Sequence, residues 1–290
     1  MLEQDVNRLT TPHRARILTA LLEGMGINGA CRVADASKNT VLKLLANVGQ
    51  ACALYQDQAM RNLTIKQVQV DEICSFIGAT QKDVPIGANP TLRLGDCYTY
   101  TAIDPVTKLM PCWLVGYRTD KSADHFMADL APRLANRVQL TANGMGDYPR
   151  AIAKHFSSNA DFAILNKSYE GGLAPVDAKR RYEPAMSISS TKDVVSGSPE
   201  LTDIATSHVD RANLSMRMGM RRFPCMTNAS SKRIENHMHA ISFYFMVYNF
   251  AKKNGTMETT PAIAADVTTT EWTLEDIVTM ADTVTFAESS

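Results

Sequence analysis

The spacing of the apolar residues changes near Lys66, and this change most constrains what the chain can fold into. Before it, apolar residues recur at helical spacing, as in ILTALL (residues 17–22), which places them on one face of a helix. After it, the stretch KQVQVDEICSF (residues 66–76) alternates polar and apolar residues, which predicts a strand. The sequence therefore predicts a helical part, residues 1 to about 60, followed by a part with both strands and helices.

The helical part contains signals for three helices. Gly24 or Gly26 ends the first, a turn at Asp35-Ala36 follows the second, and Ser37 is a typical N-cap for the third. In the third helix the predicted buried stripe is formed by Val41, Leu44, Leu45 and Val48.

The outer face of the third helix is polar. Two short helices ahead of a helix with outward hydrogen-bonding residues are typical of the helix-turn-helix, which lays that helix in the major groove of DNA. An ordinary three-helix bundle has the same periodicity. On the DNA-binding interpretation, we expect contacts with DNA from Lys38, Asn39, Thr40 and Lys43.

The order of elements after Lys66 predicts an α/β fold with a mixed sheet and flanking helices. Two strands surround an Asp104-Pro105 turn, and helices at SADHFMADLAPRL and DYPRAIAKHF alternate with strands at VQLT and DFAILNK. This order matches a ribonuclease-H-like core, and it fits other α/β folds as well. The turn-rich residues 171 to about 206 are expected to form an insertion or a long loop, with room for a small hairpin.

Three polar residues stand where functional groups are often found in such folds. Asp71 lies near the end of the first strand, Asn143 just past VQLT, and Asp210 at the start of a basic helix. Two-metal phosphoryl-transfer sites need carboxylates from separate elements to converge on two cations. By spacing alone, Asp71 is equally an ordinary strand-end residue, and Asp210 an acidic charge favoured at a helix N-terminus.

Five stretches add a family resemblance. In order they are RILTALLEGMGINGACRVADASKNTVLKLL, QVDEICSFIG, NGMGDYPRAI, HVDRANLSMRMGMRRFPCMTNASSKRIENHMHAISFYFMVYNF and TPAIAADVTTTEWTLEDIV. With them the chain resembles, over nearly its whole length, a DDE-type insertion-sequence transposase of the insertion-sequence-one kind. The resemblance implies a ribonuclease-H-like catalytic domain that cuts and joins DNA with Mg²⁺ (or Mn²⁺), preceded by a DNA-reading helix-turn-helix.

Two positions depart from the family pattern. Asp71 in VDE matches the first family aspartate, but Asn143-Gly144 stands where the family has Asp-Gly. Asp210-Arg211 stands where the family has Glu-Arg, and Arg217 provides the basic residue seven positions on. Glu235 in KRIENH is an alternative third acid, and Asp147 is an alternative for the second.

Asn143 is therefore expected to occupy a metal-ligand position with an uncharged amide. The expected metal ligands are Asp71, Asn143 and Asp210. Because Mg²⁺ relies on carboxylate oxygens, the loss of one carboxylate should reduce turnover by orders of magnitude. Phosphate contacts are expected from Arg217, Arg221 and Arg222.

The resemblance implies a transposase by descent that binds the ends of its element and target DNA, as a homodimer or higher homo-oligomer. Its Mg²⁺-dependent cleavage and strand transfer are in question because of Asn143. The alternative is a catalytically inactive DNA-binding protein derived from a transposase; a third is an unrelated α/β nuclease or regulator. The expected domains are residues 1–60, 61–253 and an acidic segment at 254–290.

Charge is distributed unevenly along a chain whose formal net charge is zero. Residues 207–253 contain eight Lys or Arg and two acidic residues, whereas residues 254–290 contain seven acidic residues and no Lys or Arg. The basic part suits phosphate binding, or the two parts attract each other. No apolar run approaches the roughly 18 residues that span a bilayer. With scattered cysteines that suggest reduced thiols, a cytoplasmic, nucleoid-associated bacterial protein is expected.

Overall fold

The structure, a computed structural model, describes residues 9–144, 146–169, 187–223, 230–255 and 257–284. The helices of the described ranges are α1 (Thr11–Leu22), α2 (Ile27–Ala34), α3 (Lys38–Ala59), α4 (Asp120–Leu130), α5 (Tyr148–Phe156), α6 (Ser207–Gly219), α7 (Ile234–Met246), α8 (Pro261–Ala264) and α9 (Leu274–Thr283). The strands are β1 (Gln67–Ile77), β2 (Gly95–Ile103), β3 (Trp113–Gly116), β4 (Val138–Asn143), β5 (Ala160–Tyr169) and β6 (Ser187–Ser196).

The six strands form one mixed sheet in the order β3-β2-β1-β4-β5-β6. Strands β1, β4 and β5 are parallel, and β5 and β6 are antiparallel. The α/β prediction of a mixed sheet with flanking helices is confirmed. Because ligands bind at the carboxyl ends of strands in open α/β sheets, the carboxyl end of β4, between β1 and β5, is a candidate position for a site.

Strand β6 lies inside the stretch predicted as an insertion or long loop. Residues 187–196 pair with β5 along its length, with Lys167 opposite Ser190. Four serines and a Lys-Asp pair hide the strand signal, although Val194 and Val195 have high strand propensity. Residues 171–186 of the predicted insertion lie outside the described residues.

The described chain divides into two compact units. Unit 1 draws on residues up to Met60, on Cys74–Tyr98 and on residues from Asn213 onward; unit 2 draws on Arg61–Ile73 and Thr99–Ala212. The predicted domain boundaries at residues 60 and 253 stay predictions.

In unit 1, the first three helices follow the sequence signals. The Ser37 hydroxyl accepts a hydrogen bond from the backbone N–H of Thr40 and caps α3, and the predicted apolar stripe of α3 is buried. The second half of α3 packs on α7, where Gly49 lies directly against the backbone of His239 and Gln56 donates to the Ser242 carbonyl (3.1 Å). The first turns of α3 have an outer face of exposed polar residues, and further along the helix Asn47, Gln50, Asp57 and Gln58 are exposed as well.

Candidate active site

Three residues that are distant in sequence meet through one side-chain amide in unit 2. Asn143 Nδ2 donates to Asp71 Oδ1 at 2.9 Å and to Asp210 Oδ1 at 3.3 Å. All three side chains are half-buried. The structure thus brings together Asp71, Asn143 and Asp210, as the sequence predicted, with the amide between the two carboxylates.

The register of the sheet positions the first two residues. Val70 of β1 is level with Ala142 of β4, so the next residues, Asp71 and Asn143, are also neighbours across the two parallel strands. Alternate residues of a strand point to opposite faces, so Asp71 shares a face with Gln69.

Gln69 brings the third residue to the site. Its side-chain oxygen Oε1 accepts hydrogen bonds from the backbone N–H groups of His208 (2.9 Å) and Val209 (3.1 Å). These N–H groups belong to the first turn of α6, which has no partner for them within the helix. Gln69 therefore fixes the start of α6 over β1 and holds Asp210 near Asp71.

Asp210 is held by two further donors. The Lys167 ammonium of β5 forms an ion pair with Asp210 Oδ2, and the Thr206 hydroxyl donates to the same oxygen at 3.1 Å. Lys167 follows Leu165, the neighbour of Asn143, by two residues and so lies on the same face of the sheet. Both carboxylate oxygens of Asp210 are therefore occupied by side-chain donors.

The residues present do not fit a pair of Mg²⁺ ions. A divalent cation between Asp71 and Asp210 would need oxygen ligands, but the group between them is the Asn143 N–H₂. The Asn143 Oδ1 atom, which could coordinate, is buried and has no hydrogen-bond partner in the described ranges. Within those ranges, no group of three or more His, Cys, Asp or Glu side chains is arranged to hold a metal ion.

Glu72 forms a second acidic feature on the opposite face of β1. Its side chain is 5% exposed, and the nearest cation is Arg118, at 3.7 Å between Nη2 and Oε2. Burial, together with the nearby charge of Asp71, raises the pKa of the Glu72 carboxyl to about 7. Burial also raises the pKa of Tyr148, and the neighbouring Glu72 carboxylate adds to that rise.

The alternative acids lie elsewhere. Glu235 is exposed in the first turn of α7, in unit 1, whereas the three residues joined by hydrogen bonds are in unit 2. Asp147 directly precedes α5, as expected of an acidic charge at a helix N-terminus. The hydrogen bond from Asn143 to Asp210 thus favours Asp210 over Glu235 as the third residue.

The predicted DNA contacts are mostly exposed. Lys38, Asn39 and Lys43 are exposed at the start of α3, and Thr40 is half-buried, with its hydroxyl 2.8 Å from that of Ser37. Arg217, near the end of α6, and Arg221 are exposed.

Arg222 differs from these exposed residues. It is half-buried and donates from Nη1 to Ser231 Oγ at 2.8 Å, and burial lowers its pKa to about 10. An internal hydrogen bond thus uses part of the guanidinium that was predicted to contact DNA.

Part of the acidic C-terminal segment pairs with basic residues of unit 1. Asp282 receives two hydrogen bonds from Arg14 (2.6 and 2.8 Å), and Glu271 lies 3.1 Å from Lys253. Of these two pairs, only Glu271–Lys253 joins the acidic part to the basic residues 207–253, because Arg14 lies outside that basic part.

Three residues of the site were missed from the sequence: Gln69, Lys167 and Thr206. Lys167 had one usable signal, because a lysine near the carboxyl end of a buried strand stands out in DFAILNK. Gln69 and Thr206 had none, since their roles depend on where α6 begins relative to β1.

No protein-family model matches this sequence, and the comparison with curated proteins found no match. None of the described helices combines the length and the apolar composition that crossing a lipid bilayer requires.

Proposed function

We propose that this chain is a DNA-binding protein descended from DDE-type transposases of the insertion-sequence-one kind, and that Asn143 makes its catalytic site inactive. The observation that carries the proposal is the convergence of Asp71, Asn143 and Asp210, which are separated by 72 and 67 residues in sequence. The family resemblance implies the same three positions as the residues of one site.

The fold supports the same origin. The mixed sheet, with its three adjacent parallel strands and flanking helices, is compatible with the ribonuclease-H-like core that the resemblance implies. The site lies at the carboxyl end of β4, and the carboxyl ends of strands are where ligands bind in open α/β sheets.

The chemistry of the site favours binding over cleavage. Each carboxylate accepts a hydrogen bond from Asn143, and Asp210 is also paired with Lys167. A pair of divalent cations would have to displace these donors without gaining the charge of a third carboxylate. We therefore propose that DNA binding persists and that Mg²⁺-dependent strand cleavage and transfer do not.

The first turns of α3 provide the DNA-reading surface in this proposal. Lys38, Asn39 and Lys43 are exposed together there, while the second half of the helix is engaged with α7. A helix-turn-helix contacts base edges with the N-terminal residues of its recognition helix, which matches this division. We further propose that the protein acts in the bacterial cytoplasm, at the nucleoid, as a homodimer or higher homo-oligomer, which light scattering with and without DNA would test.

Cleavage tests the catalytic half of the proposal. The substrate is a duplex with the terminal repeats that flank the coding sequence, incubated with Mg²⁺ or Mn²⁺. We expect no nicking by the chain as it stands, nicking by Asn143→Asp, and more by Asn143→Asp with Asp210→Glu, because both changes restore the family residues. Adding Asp71→Asn to the double variant should abolish it.

Cleavage by the unaltered chain at a rate comparable with Asn143→Asp would contradict the inactive assignment. If neither variant cleaves although both fold and bind the duplex, residue 143 is not a ligand position.

Binding tests the DNA-reading half. Changing Lys38, Asn39 and Lys43 together to alanine should reduce affinity for the terminal repeats. In a plot of the logarithm of the binding constant against the logarithm of the salt concentration, each phosphate contact removed should make the slope shallower by about one. The control is Lys82→Ala with Lys121→Ala, which removes two exposed lysines outside α3. Equal affinity of the triple variant and the control would exclude α3 as the reading helix.

A further inference from the structure

The geometry points to Lys167 as a built-in cation that competes with divalent metal for Asp210. The inference deepens the site proposed above and rests on it, but its test measures ion binding and folding, not DNA cleavage. In this assignment Lys167 is a positioning residue that holds the carboxylate network together without a metal.

Contacts at Asp210 carry the inference. Its Oδ2 atom receives the Lys167 ammonium and the Thr206 hydroxyl, and its Oδ1 atom receives the Asn143 amide. The Lys167 side chain is 21% exposed and the Asp210 side chain 38% exposed, so the ion pair is partly shielded from water. An ion pair that is partly shielded in this way is screened less by salt than a surface pair. The donors on both oxygens of Asp210 compete with a divalent cation for the same carboxylate.

The sheet delivers Lys167 to this position. Strand β5 pairs with β4 on one side, where Leu165 is level with Asn143, and with β6 on the other, where Lys167 is level with Ser190. A strand that is hydrogen-bonded along both edges has little freedom to move. The long side chain of Lys167 therefore reaches Asp210 from a fixed base.

Charge balance gives the same answer. Asp71 and Asp210 bring two negative charges, Lys167 one positive charge and Asn143 none, so the four side chains are one charge from neutral. Adding a divalent cation would overshoot neutrality and place it beside the ammonium. Without Lys167, one divalent cation would neutralise the two carboxylates, so removing the lysine should create a response to Mg²⁺ or Mn²⁺ that the unaltered chain lacks.

The experiment compares the unaltered chain with Lys167→Gln, Lys167→Arg and a matched control, Lys154→Gln. Lys154 is an exposed lysine of unit 2 that pairs with Asp124 (2.8 Å), so its loss removes a Lys–Asp pair outside the site. Thermal unfolding of each full-length protein is recorded in EDTA and in millimolar Mg²⁺, and Mn²⁺ binding is measured by electron paramagnetic resonance.

We expect Lys167→Gln to unfold at a lower temperature in EDTA and to recover in Mg²⁺. Its Mn²⁺ affinity should rise by about tenfold or more, because one positive charge within a few ångströms of a divalent ion is removed. The unaltered chain, Lys167→Arg and Lys154→Gln should not respond to Mg²⁺.

The inference is overturned if Lys167→Gln folds but binds Mn²⁺ no more tightly than the unaltered chain, or if Mg²⁺ stabilises both equally. If Lys167→Gln does not fold in EDTA, its refolding yield is compared with and without Mg²⁺, and equal yields would also overturn it. The DNA cleavage and binding outcomes described above do not depend on these results.

Discussion

Replacing Asn143 by Asp should make the fold of unit 2 depend on divalent cations. The Asn143 amide now donates to Asp71 at 2.9 Å and to Asp210 at 3.3 Å. The substitution is nearly isosteric, but it removes both donors and introduces a third carboxylate at the same distances. The cost should therefore be electrostatic and should respond to cations.

The size of the effect follows from these distances. Hydrogen bonds to charged groups contribute about 1.5–3 kcal/mol each. Two unit charges about 3 Å apart at an effective dielectric constant of about 20 repel by roughly 5 kcal/mol per pair. Protonation limits this repulsion, since neutralising an ordinary aspartate at pH 7 costs about 4 kcal/mol. Because the site is half-buried and partly screened, we expect a loss of about 3 kcal/mol.

Urea unfolding at pH 7 measures this loss. In EDTA, Asn143→Asp should have a free energy of unfolding about 3 kcal/mol below that of the unaltered chain, and Mg²⁺ should restore most of it by occupying the three carboxylates. The control is Asn159→Asp, an exposed turn position, which should change little in either condition. Equal stability of Asn143→Asp and the unaltered chain in EDTA would refute the reasoning.

Three further predictions concern stability. Glu72 has a pKa of about 7 in the folded protein against 4.5 as its ordinary value, so the folded state holds the proton between these values and stability should fall as the pH rises through this window. Glu72→Gln should remove this loss of stability, which amounts to about 3 kcal/mol in the free energy of unfolding measured with urea, whereas Glu200→Gln should retain it. If the stability of Glu72→Gln depended on pH as that of the unaltered chain does, the raised pKa would not belong to Glu72. Gly49→Ala should lower the free energy of unfolding by about 2–3 kcal/mol, because the added Cβ would lie 2.6 Å from the backbone of α7. Gly29→Ala, whose Cβ would have its nearest contact at 3.5 Å, should raise it by roughly 0.5–1 kcal/mol. The reverse order of melting temperatures would be inconsistent with this packing. Gln69→Ala should cost about 1 kcal/mol and speed amide exchange at the start of α6, and unchanged exchange there would rule out the cap.

Local signals made much of the fold predictable. Ser37 and the apolar stripe that follows it depend only on neighbouring residues, and the structure confirms both. Strand β6 was not predicted because its side chains are mostly small and polar. Its pairing with β5 stabilises the extended conformation that its own sequence does not favour. Where tertiary pairing outweighs local propensity, a single sequence is a poor guide.

The site was predictable only in part for a similar reason. Asn143 is the last residue of β4, and Asp71 lies beside it inside β1, which continues to Ile77. The sequence placed both residues near strand ends, where functional residues of open α/β sheets tend to lie, so their proximity could be anticipated. The contact between Lys167 and Asp210 depends on two things that the sequence does not display. One is the register of β5 against β4, and the other is the anchoring of α6 by Gln69.

The cap between Gln69 and the start of α6 joins residues that are 139 positions apart. At synthesis rates of about 5–20 residues per second, the ribosome needs roughly 7–28 seconds between making one partner and the other. During that interval Asp71, Asn143 and Lys167 are made before Asp210, so the amide lacks one of its two acceptors and the lysine lacks its ion-pair partner. A nascent chain that stalls before Ser207 would therefore carry the three amino-terminal helices and Lys167 but no Asp210, a form that quality-control proteases could distinguish from the finished protein.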